Sequence, residues 1–162
     1  HCMGTKIPVF GDERTLATLK KRFGYVFEGK GAYAPIADSH ILQSGQQVVI
    51  GDVSVTPFTQ IHGGITSFGY RFNSMAYSTD LNQIPEGSEA FLQGLDLWIV
   101  DALRYKPHPT HPHLDLTLSW IEKYRPKRAI LTHMNWDMDY GQLRRRLPDH
   151  VQPGYDGLTI EL

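Results

Sequence analysis

Apolar residues fall into short runs broken by glycine, proline and asparagine, and their spacing shifts from helical to strand-like part-way along the chain. Ile7-Pro8-Val9-Phe10-Gly11 predicts a short strand closed by glycine. Asp12 follows as the N-cap of a helix over 13–23, where Leu16, Leu19 and Phe23 recur at helical spacing and Gly24 ends it. Residues 28–35, with Gly29, Gly31 and Pro35, read as a surface loop. From Gln46 the texture is β: 48–50 and 53–56 predict a hairpin around Gly51-Asp52, and 68–72 and 75–78 a second around Asn73-Ser74. The run 95–100 suits a strand covered on both faces, ending in Asp101. A helix is expected over 114–124, with Leu114, Leu118 and Ile121 on one face and Pro126 beyond its end. A buried strand at 128–131, a basic helix at 140–147 and a last strand at 158–162 complete the pattern.

Hairpins first and alternating strands and helices later indicate a layered α/β (α+β) architecture. The 162 residues, 41% hydrophobic and 20% charged, suit one ordinary core, and no repeat or composition break divides them, so a single domain over 1–162 is expected. Sixteen basic against 17 acidic residues give a net charge of −1, which offers no broad field to nucleic acid or anionic lipid. No apolar run is long enough to span a membrane. One cysteine closes no internal disulfide, and with no leader in the opening residues a cytoplasmic setting is expected.

Eight histidines are the count that suggests chemistry. His62, Asp80 and His133 each stand directly after a β-like run, and two imidazoles with a carboxylate are ligand types that suit zinc, manganese or iron. The alternative for each is an ordinary polar residue capping a turn. The loop 106–113 carries His108, His111 and His113 among three prolines, a stiff lead into the following helix. Asp101 is placed to orient a ligand histidine. Trp98, Trp120 and Trp136 read as core or site-wall residues, His40 and His150 as surface residues, and Arg144-Arg145-Arg146 as a solvated helix face.

The order Thr56-Pro57 to His62, then Ala76-Tyr77-Ser78-Thr79-Asp80, then Ile130-Leu131-Thr132-His133-Met134 resembles the metallo-β-lactamase superfamily, in its phosphodiesterase-like branch. The resemblance runs from Ile7 to Gly154-Tyr155-Asp156-Gly157-Leu158. It implies the C-terminal portion of a four-layer αββα sandwich. It also implies His62 on a first metal, Asp80 bridging two metals and His133 on the second. The family's His-x-His-x-Asp-His-x-x-Gly signature is not found whole; His1-Cys2-Met3-Gly4 fits its tail, so the resemblance makes His1 a further ligand and the chain N-terminally incomplete. A tag remnant is the alternative for His1.

The activity implied is metal-dependent hydrolysis of a phosphodiester, using two divalent ions (Zn or Mn) in the intact protein and a metal-activated water. Matching Leu114 and Leu118 makes His111 the residue that contacts phosphate and protonates the leaving oxygen, with His113 as fallback. The near-neutral charge favours a small phosphate-containing substrate over long nucleic acid, with no membrane partner and a homodimer left open. An acyl or thioester hydrolase of the same superfamily and a non-catalytic ligand-binding protein are the alternatives.

Overall fold

The structure, a computed structural model, describes residues 5–161. The chain divides into two compact units between Gln46 and Gln47.

In the first unit, β1 (Ile7–Gly11) leads into helix α1 (Glu13–Glu28), and β2 (Ala37–Ile41) lies parallel to β1. Asp12 caps α1 as expected, its carboxylate accepting from Thr15 N at 3.0 Å. The helix runs past Gly24. Phe23 leaves helical geometry (φ −127°, ψ 37°) and kinks the axis, but the positive-φ stop falls at Gly29, whose N–H donates to Tyr25 O. β2 was not legible because Asp38, Ser39 and His40 lack strand character; pairing with β1 holds it, with His40 stacked on Phe10 at 4.8 Å and Asp38 3.0 Å from Lys6 Nζ.

In the second unit, seven strands form one sheet in sequence order: β3 (Val48–Ile50), β4 (Val53–His62), β5 (Ile65–Phe72), β6 (Met75–Ser78), β7 (Leu97–Asp101), β8 (Arg128–Thr132) and β9 (Val151–Pro153). Both predicted hairpins form, and Asn73 takes the left-handed conformation its two-residue turn requires (φ 52°). Pro57 sits inside β4 without loss because β3 pairs only with Val53–Val55; from Thr56 onward β4 is an edge, where a missing N–H is tolerated. β5 runs antiparallel to β4 and β6, whereas β6 to β9 are mutually parallel. Five strands, β4 and β6 to β9, therefore end at the same edge of the sheet.

A 3₁₀ helix (Glu86–Leu92) joins β6 to β7, and helix α2 (Leu114–Tyr124) joins β7 to β8. The core gathers Phe58, Trp98, Val100 and Leu131 from the strands with Leu114, Ile121 and Tyr124 from α2. Inside it Trp98 Nε1 donates to Ser78 Oγ at 3.0 Å, and its ring meets Tyr124 edge-on. Trp120 packs partly buried against this core, but Trp136 is 92% exposed and is neither core nor wall, because the turn after β8 faces it outward.

The strand expected at 158–162 is not found among its described residues. Leu158 N instead closes a turn on Tyr155 O, and the last strand, β9, is three residues between Pro148 and Gly154 whose Val151 is fully buried. Helix α3 (Tyr140–Arg146) is too short to persist alone and rests on Leu143, which has no solvent exposure. Leu143→Ala should accordingly cost about 2–5 kcal/mol, read as a lowered urea midpoint with the slope preserved.

Candidate metal centre

The shared strand edge collects the chemistry. His62 is the last residue of β4, Asp80 lies two residues beyond β6, Asp101 ends β7 and His133 directly follows β8. Asp80 (φ 56°) and His133 (φ 61°) are non-glycine residues in the left-handed region, a conformation kept only where the surroundings enforce it. For Asp80 those surroundings are visible. Its N–H donates to Asp101 Oδ2 at 3.2 Å, its carbonyl accepts from Ser67 Oγ at 2.6 Å, and buried Gln60 donates to the preceding Thr79 O at 3.0 Å. Beside His133, Ala102 N donates to Thr132 O and Asn135 N to Leu103 O.

The fifth residue arrives on the proline-bounded loop 106–113. Gly63, in the turn after His62, lets this loop close in: a Cβ there would stand 2.6 Å from Thr110 Cγ2, and its φ is +60°. Asn82 fastens the two segments, accepting from Gly63 N and donating to Pro109 O, both at 2.9 Å. Thr110 O then lies 2.8 Å from His62 Nδ1. A carbonyl only accepts, so Nδ1 carries the proton and Nε2 keeps its lone pair. That Nε2 faces Asp80 Oδ1 at 3.9 Å. His111 repeats the arrangement: Nδ1 bonds to Asp101 Oδ2 at 2.8 Å, while Nε2 stands 4.0 Å from Asp80 Oδ1. The His111 ring meets His62 edge-on at 4.7 Å and stacks on His133 at 4.9 Å.

Among the described residues two groups of potential ligand atoms result, His62–Asp80–His111 and Asp101–His111–His133, the atoms of each lying within 4.8 Å of one another. Asp101 has no solvent exposure, and its Oδ1 has no hydrogen-bond partner among the described residues. Burial pushes its carboxyl up to about 7, against the pull of His133 and the Asp80 N–H. Burial, then neighbouring His62, lowers His111, against the pull of Asp80. Free imidazole nitrogens converging on one carboxylate, beside a buried carboxylate with an orphaned oxygen, fit a divalent cation such as zinc or manganese.

His62, Asp80 and His111 thus come together, with His133 joined to them through His111. Asp101 orients His111 rather than a histidine expected as a ligand. His113 lies outside both groups, at the N-cap of α2 with no side-chain capping bond. His108 is half-buried, its ring 5.3 Å from His111. His1 and Cys2 lie outside the described residues. Gln60, Ser67, Asn82 and Thr110 had no sequence signal as site supports; only the placement of Asn82 two residues after Asp80 hinted at one.

Residues 2–134 match the beta-lactamase superfamily domain. The chain is 36% identical, with a TM-score of 0.86, to a structure described as a new diphosphatase from the PhnP family, covering 96% of this chain and 57% of that one. YhfI of Bacillus subtilis, a metallo-β-lactamase fold protein, matches at a TM-score of 0.73 and 16% identity over 94% of this chain and 64% of its own. Among curated proteins, an octanoyltransferase of Porphyromonas gingivalis (strain ATCC BAA-308 / W83) is 27% identical over 97% of this chain. The chain spans about a third of that relative (32%). The chain belongs to the metallo-β-lactamase superfamily, on the phosphodiesterase-like branch to which the diphosphatase match points.

A raised carboxyl holds a proton in the folded protein that the unfolded chain has released. Asp101 therefore contributes stability that is complete below its unfolded value near 3.9 and is lost as pH rises through about 7. In chelator-treated protein, Asp101→Asn should gain melting temperature relative to wild type as pH goes from 5 to 8. A constant difference across that range would show that Asp101 does not titrate there.

Proposed function

We propose that this chain carries the acid and much of the metal-binding apparatus of a metal-dependent phosphodiesterase acting on a small phosphate ester. The observation that carries the reading is the His111–Asp101 pair. A buried carboxylate holds Nδ1 at 2.8 Å, so the one free nitrogen, Nε2, points at the acidic cluster. His62, Asp80 and His133 would hold the metal, with His1 completing the set as the resemblance assigns it. Divalent ions held there would supply Lewis acidity, polarising a phosphoryl oxygen and lowering the pKa of water.

The chain's own residues do the rest. Thr110 O and Asp101 fix the tautomers of His62 and His111, so that each Nε2 meets the cluster in one orientation. His111, when protonated at Nε2, donates that proton to the departing alkoxide; Asp101 keeps the ring from turning and stabilises its charge. Burial lowers the affinity of His111 for this proton, which makes it a better acid near neutrality.

A second reading, hydrolysis of an acyl or thioester, is favoured by the octanoyltransferase match. A thiolate leaves without protonation, so that chemistry would not need His111.

The two diverge in a test on the metal-loaded protein. His111→Ala should lower turnover of an alkyl phosphodiester by roughly 10²–10⁴ and leave metal content nearly intact. A p-nitrophenyl ester, whose oxygen needs little protonation, should suffer far less. Loss of metal in this variant would make His111 a ligand; equal loss on both esters would remove its role as acid. Asp80→Ala should weaken metal binding at least tenfold, roughly the minimum for a direct ligand given what supporting residues alone cost, read by equilibrium dialysis.

A further inference from the structure

Side chains hold the loop that carries His111. Pro107, Pro109 and Pro112 have no N–H to give, so they add nothing to a backbone ladder. At the loop's start the Arg104 guanidinium donates to Lys106 O at 3.0 Å and to Pro107 O at 2.7 Å. Farther along, the peptide joining Pro109 to Thr110 is fixed at both poles. Its carbonyl, Pro109 O, accepts from Asn82, and its N–H, on Thr110, donates to His108 Nδ1 at 3.3 Å. Thr110 Oγ1 lies 3.3 Å from the same nitrogen. An N–H only donates, so His108 Nδ1 is the acceptor and the neutral ring carries its proton on Nε2, the reverse of His62. The next carbonyl in the chain, Thr110 O, is the one that meets His62 Nδ1 at 2.8 Å.

We infer that His108 is a positioning residue: its Nδ1 holds the Thr110 N–H, which aims Thr110 O at His62, keeps the His62 proton on Nδ1 and leaves Nε2 open to a metal. The inference rests on the reading of His62 as a ligand and adds a residue that acts on it through Thr110. Asn82 holds one pole of the 109–110 peptide. With the other pole free the peptide could tilt, and a tilt passes through Thr110 Cα to the next carbonyl. The bond from His62 tolerates little of that, because hydrogen bonds weaken steeply with misalignment. His62 would then sample the tautomer with its proton on Nε2, which cannot ligate. Pro109 suits His108 to the task, since its fixed φ governs the one residue between the imidazole and the N–H it takes. The ring is half-buried and stands 5.3 Å from His111, a packing contact separable from the bond by substitution.

The test uses variants that split the ring from the acceptor. His108→Phe keeps a planar ring and loses Nδ1. His108→Asn loses the ring but keeps a side-chain oxygen that reaches the N–H two residues on, as in an Asx-turn. Nitrogen NMR of metal-free protein labelled at its histidine rings, at a pH above the ordinary histidine value, should show wild-type His62 protonated on Nδ1 and His108 on Nε2. The signals that His62→Ala and His108→Phe remove assign the two rings. In His108→Phe the His62 proton should spread over both nitrogens. Zinc alone, read by equilibrium dialysis, should bind that variant about tenfold more weakly, the lower end of what a ligand's outer partners contribute. His108→Asn should keep most of both properties. The reverse order, Phe benign and Asn damaging, would make His108 a packing residue and overturn the inference, as would equal behaviour of the two variants. In either case the phosphodiesterase reading stands. If His62→Ala leaves zinc affinity unchanged, His62 is no ligand, and the inference falls together with the ligand assignment of that reading.

Discussion

The Asp101 carboxylate, removed from solvent at the end of β7, is the tie on which the centre depends. One oxygen receives both the N–H of Asp80 and Nδ1 of His111, so a single atom fixes the backbone of one candidate ligand and the ring of the candidate acid. Thr117 Oγ1 of α2 donates to the Asp101 carbonyl at 2.7 Å, which also anchors this residue to the helix packed on the sheet. A charge held this deep is unfavourable by itself, and its rise to about 7 measures that penalty. A cation beside it would relieve the penalty. The centre is thus least comfortable in the state that would bind a metal best.

Around this tie the backbone is held in conformations it would not choose. Asp80 and His133 both turn through the left-handed region at strand ends. Each sits where a strand of the shared edge stops, and hydrogen bonds from Ser67, Gln60 and the β7–β8 ladder supply the restraint. Loops between parallel strands are free to differ in length and chemistry, whereas the strand ends are fixed by the ladder, so candidate ligands at the ends and the candidate acid on a stiff proline-bounded loop would separate positioning from reaction. Gly63 and Asn82 bring these two parts together.

The relatives differ in their described activities, a PhnP-family diphosphatase and an octanoyltransferase of which this chain spans only a third. What separates phosphodiester from acyl chemistry in this chain is not the candidate ligand set, which either would use. It is whether a proton donor stands by the leaving atom. Under the proposed function that donor is His111, tethered through one nitrogen and free at the other.

Most of the elements were legible from the residues alone. Alternation around Gly51-Asp52 and Asn73-Ser74, the apolar run ending in Asp101 and the 114–124 helical face each express a local preference, strong enough to read without knowing the neighbours. His62, Asp80, His133 and His111 were likewise visible as reactive residue types at strand ends and on a stiff loop. Where local preference was weak, the reading failed. β2 exists only because β1 lies beside it, α1 continues past Gly24 because its positive-φ stop is at Gly29, and 158–161 follow a turn closed by Leu158 N on Tyr155 O and join no strand. The tertiary structure alone decided which nitrogen of each histidine is free, that Asp101 serves His111, and that Asn82 and Thr110 belong to the centre. Those are contacts across 10 to 48 residues of chain, and no local pattern records which distant carbonyl or carboxylate a side chain will meet once the strands align.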